Sequence, residues 1–94
     1  MEIQHTVKDL KGRFFIEENG QLLAEMTYEI PSKSVLLITH TEVDETLKKK
    51  GIGRKMVALA VELARETHME VKSICTFAKA ILEKSEKYHD VYKR

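Results

Sequence analysis

The run from Leu22 to Ile30 constrains the fold more than any other stretch. Leu22, Ala24, Met26, Tyr28 and Ile30 fall on one side; Leu23, Glu25, Thr27 and Glu29 fall on the other. A period of two that separates apolar from polar side chains predicts an antiparallel strand with one buried face. That face needs a second layer to cover it. The stretch from Arg54 to Arg65 supplies one, because Met56, Leu59, Ala60, Leu63 and Ala64 recur at helical spacing while Arg54, Lys55, Glu62 and Arg65 lie elsewhere. This is an amphipathic helix suited to packing on a sheet.

The flanking segments extend both layers. Arg13 to Glu17 reads as a strand, and Asn19-Gly20 joins it to the next as a hairpin, since both residues tolerate positive φ. His5 to Lys8 reads as a short strand before it. Pro31-Ser32-Lys33-Ser34 predicts a turn. Val35 to Val43 follows as a strand whose start is apolar on both faces, which places it centrally in the sheet. Val71 to Cys75 predicts a last strand, and Phe77 to Lys87 a second helix with Phe77, Ala78, Ile81 and Leu82 inward. A helix between two strands implies one right-handed βαβ crossover from Val35–Val43 to Val71–Cys75. The expectation is an α+β fold: a mostly antiparallel central sheet with two helices.

Ninety-four residues, 43% apolar and 33% charged, fit a single domain over 1–94. The apolar content excludes disorder, and no uncharged run approaches the ~20 residues of a membrane span. The first five residues show no signal-peptide pattern. One cysteine excludes an internal disulfide and a cysteine-rich zinc site, and suits a cytoplasmic location. The histidines lack ligand spacing, so no metal is expected. The net charge of +1 hides a division. Residues 1–47 hold four basic and nine acidic residues, a net −5; residues 48–94 hold twelve and six, a net +6.

The positive excess is densest at Lys48-Lys49-Lys50-Gly51-Ile52-Gly53-Arg54-Lys55, between the end of a strand and the start of a helix. Free N–H groups and the positive dipole end at a helix start bind phosphate, and glycine permits close backbone approach. No Gly-Lys-Ser/Thr ending makes this a Walker loop, and Met56 stands where a dinucleotide fingerprint needs a third glycine. On residues alone, the segment fits either an anion loop or a glycine-containing helix start with solvated lysines.

The segment Lys48-Lys49-Lys50-Gly51-Ile52-Gly53 resembles the acetyl-CoA loop of the GNAT N-acetyltransferase superfamily, Arg/Gln-x-x-Gly-x-Gly/Ala, with Lys48 in place of Arg or Gln. With His40-Thr41-Glu42-Val43 before it, Cys75 at a strand end and Tyr88 in the tail, the chain is similar to a small GNAT-like (YjdJ-type) subfamily over roughly Phe14 to Tyr92. The resemblance implies a minimal GNAT-like fold and a CoA or acetyl-CoA cofactor. Its pyrophosphate would lie on N–H groups from Lys49 to Lys55. Its pantetheine would run along Glu42 and Val43. Lys48, Lys49, Lys50, Arg54 and Lys55 would supply charge, with Gly51, Ile52 and Gly53 forming the turn. Full-sized relatives place two helices between the first two strands; here a short loop leaves no room for them. Neither the Asn nor the Tyr of the usual acid-bearing segment occurs between Cys75 and Glu83.

The resemblance places Cys75 near the CoA thiol end, as an acetyl acceptor or a disulfide partner of CoA. A helix start stabilises a thiolate, though a lone cysteine equally fits a small core residue. His40, on the cofactor strand, could serve as a base toward an amine or toward Cys75. Glu42 shares its strand face and could orient it. Tyr88 fits either a general acid or a tail anchor; it shares a face with Tyr92 if the second helix continues. The expected activity is acetyl transfer from acetyl-CoA to an amine, directly or through Cys75. Two other classes stay open: a non-catalytic CoA-binding module that needs a partner, and a nucleic-acid-binding domain using the lysine loop. Few aromatics and no long basic surface speak against the last.

Overall fold

In the computed structural model, which describes residues 2–93, the alternating run lies within the longest strand, β3 (Gln21–Ser32). It pairs on one side with β2 (Lys11–Glu18) and on the other with β4 (Val35–Val43), both antiparallel. β1 (Gln4–Lys8) adds to the outer edge of β2, and β5 (Glu70–Ser73) pairs parallel to β4. The five strands stand in chain order across the sheet. Asn19 and Gly20 take φ values of 52° and 79°, the positive pair the β2–β3 hairpin requires. β3 continues through Pro31 to Ser32, so the turn reduces to Lys33 and Ser34. Pro31 costs no ladder bond there, because the β3–β4 register skips from Glu29 to Ser32.

Helix α1 (Ile52–Glu66) joins β4 to β5, and α2 (Thr76–Lys84) follows β5. Both helices share one core with Ala24, Met26, Tyr28, Leu36 and Ile38, so they cover the same sheet face. α1 buries Met56, Val57, Ala60, Val61 and Ala64, while Leu59 is 39% exposed. The apolar stripe is therefore turned by about one residue from the expected one. Met56, the small Ala60 and Ala64 and the β-branched Val57 and Val61 make the buried stripe, with Leu63 packed partly buried against it. α2 ends at Lys84, three residues short of the expectation, because Ser85 is extended (φ −104°, ψ 111°). β5 likewise stops at Ser73, leaving Ile74 69% exposed.

The tail after α2 is folded back onto the body. A 3₁₀ turn covers Glu86–Tyr88, and Tyr92 then forms a parallel bridge to Val71 on the outer edge of β5. Tyr88, Val91 and Tyr92 are buried. Arg65 ties this segment to α1: its guanidinium donates to Asp90 at 2.8 and 2.9 Å, to the Lys87 carbonyl at 2.6 Å and to Glu62 at 2.7 Å. Among the described residues no helix is long and apolar enough to cross a membrane.

Candidate functional site

The site begins where the parallel ladder ends. β4 and β5 pair from Val35/Glu70 to Ile38/Ser73, and the Ile74 N–H makes a last bond to the Ile38 carbonyl at 3.0 Å. Beyond that point β4 runs on to Val43, paired only with β3. β5 turns away into α2. The backbone of Thr39 to Val43 therefore has an edge that no strand occupies. A groove of about 490 Å³ opens there, lined by Thr41, Glu42, Val43, Lys48, Gly53 and Phe77.

A bulge decides which side chains face this groove. Tyr28 opposes Ile38 but Thr27 opposes His40, so Thr39 is an extra residue in β4. Its hydroxyl bonds that of Thr27 at 2.7 Å. The extra residue reverses the alternation. Ile38 shares the helix-covered face with Tyr28, and beyond the bulge Thr41 and Val43 share it with Met26 and Ala24. His40 and Glu42 stand with Thr27 and Glu25 on the opposite face. Glu25 is held there by Arg13 at 2.7 Å, whose guanidinium also lies 4.0 Å over the Phe15 ring.

Cys75 is half-buried at the start of α2, on the helix-covered side. Its thiol donates to the Thr41 hydroxyl at 3.3 Å. Its N–H donates to Ser73 Oγ at 3.0 Å, and that hydroxyl donates back to the Cys75 carbonyl at 2.8 Å. These bonds fix the turn from β5 into α2. The structure thus brings Cys75 to Thr41 and places His40 on the other face of the sheet, so a Cys75–His40 pair is not formed. Glu42 keeps the side of His40, as the spacing predicts.

At the other end of the groove, Asp44 caps the 3₁₀ turn Glu45–Lys50, accepting from the Thr46 N–H at 3.0 Å and its hydroxyl at 2.6 Å. Those bonds hold its carboxyl below the usual carboxylate range. Gly51 ends that turn and starts α1 at φ 71°, a left-handed conformation that favours glycine. The Lys55 N–H is taken by the Gly51 carbonyl at 3.1 Å. The N–H groups left without an intrahelical partner at the start of α1 are those of Ile52, Gly53 and Arg54, a narrower set than the expected Lys49 to Lys55. No acidic residue occupies this first turn. Lys48 pairs with Glu45 at 3.0 Å; Lys49, Lys50, Arg54 and Lys55 are exposed and form no ion pair with a described residue.

Gly53 answers to a neighbour as much as to a ligand. A Cβ there would lie 2.5 Å from Phe77 Cζ, so the glycine makes room for the ring that walls the groove. Phe77 was expected in the core but is 45% exposed. Sequence reasoning missed both Phe77 and Thr41 as lining residues. The apolar spacing of α2 disguised the first, and the bulge concealed the second. Tyr88 is 6% exposed and lines a different cavity, with Arg54, Ile81, Lys84, Ser85 and Lys87.

Comparison with known proteins accords with this arrangement. The family described as GCN5-related N-acetyl-transferase matches residues 13–91. A GCN5-like chain from Staphylococcus aureus, solved by NMR, superposes with a TM-score of 0.75 at 37% identity, over 98% of this chain and 87% of that one. The ribosomal-protein-alanine N-acetyltransferase of Brucella melitensis biovar Abortus 2308 superposes with a TM-score of 0.65 at 11% identity, over 82% of this chain and 62% of its own. A chain from Clostridium acetobutylicum described as a predicted acetyltransferase and crystallised with acetyl-CoA gives 0.61 at 21% identity, over 80% of this chain and 56% of its own. The last two show the fold alone. No curated protein sequence matches the chain. A match over most of the chain, together with the open β4 edge and the glycine-started helix, shows that this protein belongs to the GCN5-related N-acetyltransferase family.

Proposed function

We propose that the chain binds acetyl-CoA along the open edge of β4 and transfers its acetyl group to an amine. The observation that carries this reading is the continuity of the groove. It joins an unpaired strand edge, suited to the amides of a pantetheine arm, to Gly53 and the free N–H groups at the start of α1, suited to a pyrophosphate, with Lys48 on its wall. Gly51 supplies the turn, and Glu42 and Val43 the strand end. Lys48, Lys49, Lys50, Arg54 and Lys55 attract the anion. The resemblance to a protein crystallised with acetyl-CoA supports the same cofactor.

Cys75 is the group we assign to the thiol end. In that role the cysteine sulfur gives up its proton and attacks the thioester carbonyl; the bond to the CoA sulfur breaks, that sulfur takes up the proton and leaves as the CoA thiol, and acetyl-Cys75 remains; the amine then attacks this thioester and its N–H proton passes to the departing cysteine sulfur. Thr41 orients the sulfur. His40 and Glu42, across the sheet, suit a base toward an acceptor approaching from that face. The absence of a described base beside Cys75 favours a second reading, a module that binds CoA without turnover.

Titration with CoA, acetyl-CoA and desulfo-CoA by calorimetry tests the binding step. Saturable binding of all three is expected, and none at millimolar ligand would refute it. Incubation with acetyl-CoA followed by mass spectrometry separates the two readings. A gain of one acetyl group, lost in Cys75→Ala, supports transfer through the cysteine. Binding with no thiol release across a range of amines supports the module.

A further inference from the structure

We propose that the acceptor of the transfer is an amine that also carries an anionic group, a carboxylate or a phosphate, and that the sheet face without helices holds it, its anion on Lys8 and Lys11 and its amine at His40. This deepens the proposed function and rests on it. α1 and α2 cover the opposite face. On the uncovered one a cavity of about 510 Å³ spreads over β1 to β4, inside the size range of ligand pockets. Strand register sets its side chains in two rows. Arg13, Thr27 and His40 stand side by side in one; Lys8, Lys11 and Glu29 form the next. All of these but His40 line the cavity, with Thr39 of the bulge beside them. Thr27 is the register partner of His40, so the cavity ends one strand, ~4.8 Å, from that residue.

Fold stability leaves the lysine pair unexplained. A lysine on an edge strand deters pairing with other chains, which accounts for Lys8 on β1. It does not account for Lys11, which lies on β2, inside the sheet and directly opposite Lys8. Like charges in register on neighbouring strands are destabilising. No described carboxylate relieves them. Glu29 is in register with Lys11 and Asp9 follows Lys8 in the turn, yet neither forms an ion pair with either lysine, and Glu25 is held by Arg13 at 2.7 Å. An anion between the two ammonium groups reconciles them. The sheet then sets the length of the acceptor. His40 lies two residues along and two strands across from Lys11, roughly 12 Å between Cα atoms at ~3.4 Å per residue and ~4.8 Å per strand. Side chains shorten that distance from both ends but leave several bonds between anion and amine. A long ω-amino acid or an aminoalkyl phosphate therefore fits, and glycine does not. His40 takes one proton from the ammonium, and the neutral amine attacks the acetyl thioester past the open edge of β4, where β5 has turned away.

The test titrates the isotope-labelled chain with 6-aminohexanoate, 6-aminohexyl phosphate and hexylamine, which lacks the anion, and reads the amide resonances. One or both of the anionic amines should shift residues 6–13, 27 and 39–40 and bind at least fivefold more tightly than hexylamine, and which of them does so names the anion. In a Lys8→Ala/Lys11→Ala variant, whose fold is checked by thermal melting, that preference should fall below twofold. With acetyl-CoA present, mass spectrometry should show the preferred amine acetylated at least fivefold faster than hexylamine at equal low concentration. Equal binding of all three amines, or shifts confined to other residues, would overturn the inference while leaving CoA binding intact. A preference unchanged in the double variant would overturn it as well. Acetylation of hexylamine as fast as the anionic amines would overturn the acceptor role and leave the proposed function standing. Acetylation of no amine while CoA binds would overturn the transfer reading and the acceptor role with it.

Discussion

Gly53→Ala separates two roles that one glycine can play. The new Cβ would meet Phe77 Cζ at 2.5 Å and Cε2 at 2.6 Å, so the ring must leave its place. It can do so cheaply, because it is already 45% exposed. Losing the covered half of a phenylalanine costs about 1–1.5 kcal/mol, taking ~1.5–3 kcal/mol for full burial. Replacing a helical glycine with alanine returns about 0.5–1 kcal/mol. The net loss of stability is then ~0–1 kcal/mol, a melting shift of roughly 5 °C or less in a domain this size. Binding should respond more. Phe77 and Gly53 both wall the groove, so a displaced ring narrows it and CoA must push it back. We expect affinity to fall about tenfold, ~1.4 kcal/mol. The cycle is completed in a Phe77→Ala background, where Gly53→Ala should change affinity less than twofold. Calorimetry with CoA and melting by circular dichroism read the two effects. An equal loss of affinity in both backgrounds would refute the argument, since the glycine would then act by admitting the anion to the backbone. A melting loss above about 10 °C would show that the ring cannot move.

Other perturbations test the frame. Gly12→Ala should cost more, because its Cβ would meet Tyr28 Cζ and Oη at 2.4 Å and that ring is only 1% exposed; we expect about 2–3 kcal/mol, a loss of roughly 10–20 °C, largely abolished in a Tyr28→Leu background. The pH dependence of melting should carry the signature of His5, whose ring stacks on Phe14 at 4.3 Å and whose Nε2 is hydrogen-bonded to Tyr28 Oη at 2.7 Å. Burial holds its pKa below the ordinary histidine value, so its contribution is present above about pH 6.5 and lost as pH falls through the depressed value; a His5→Phe chain should show a flatter acid limb. Burial also raises the Tyr28 phenol, so a matching loss is expected as pH rises above about 10. Arg65→Met should release the segment from Lys87 to Tyr92, read as faster amide exchange there with β2 and β3 unchanged.

What could be read in advance follows the strength of local chemistry. Asn19-Gly20 specifies its hairpin because two adjacent positive φ values suit few other dipeptides. The β3 alternation specifies a buried face because a one-residue slip would expose all of it. Gly51, predicted at the anion loop, stands at φ 71° between a 3₁₀ turn and α1. The end of α2 was not legible. Lys84-Ser85-Glu86-Lys87 contains no glycine or proline, and the chain leaves the helix there because Tyr88, Val91 and Tyr92 gain more by burial against β5 than by prolonging it. Leu59 misled for a similar reason: a leucine at helical spacing suggests core, yet the sheet accepts the smaller stripe of Ala60, Val61 and Ala64.

The bulge at Thr39 shows why candidate catalytic residues are the hardest to infer from spacing. Strict alternation from the buried Ile38 would put His40 and Glu42 on the core face, beside the Cys75 side of the sheet. One extra residue, held by the Thr27–Thr39 hydroxyl contact, exchanges the two sets. Thr41 then meets the thiol, and the histidine faces away. Nothing in Thr39-His40-Thr41 marks this, because threonine suits a regular strand as well as a bulged one. The consequence is chemical. With the imidazole across the sheet, proton removal from Cys75 cannot be assigned to His40, and the α2 start and the Thr41 hydroxyl are the described groups left to position a thiolate. Under the proposed function, a base on the far face would serve an acceptor that reaches β4 from that side. The same insertion that breaks the Cys75–His40 pair thus places thiol and imidazole on the two sides of one strand, which under the proposed function would be the cofactor's side and the acceptor's side.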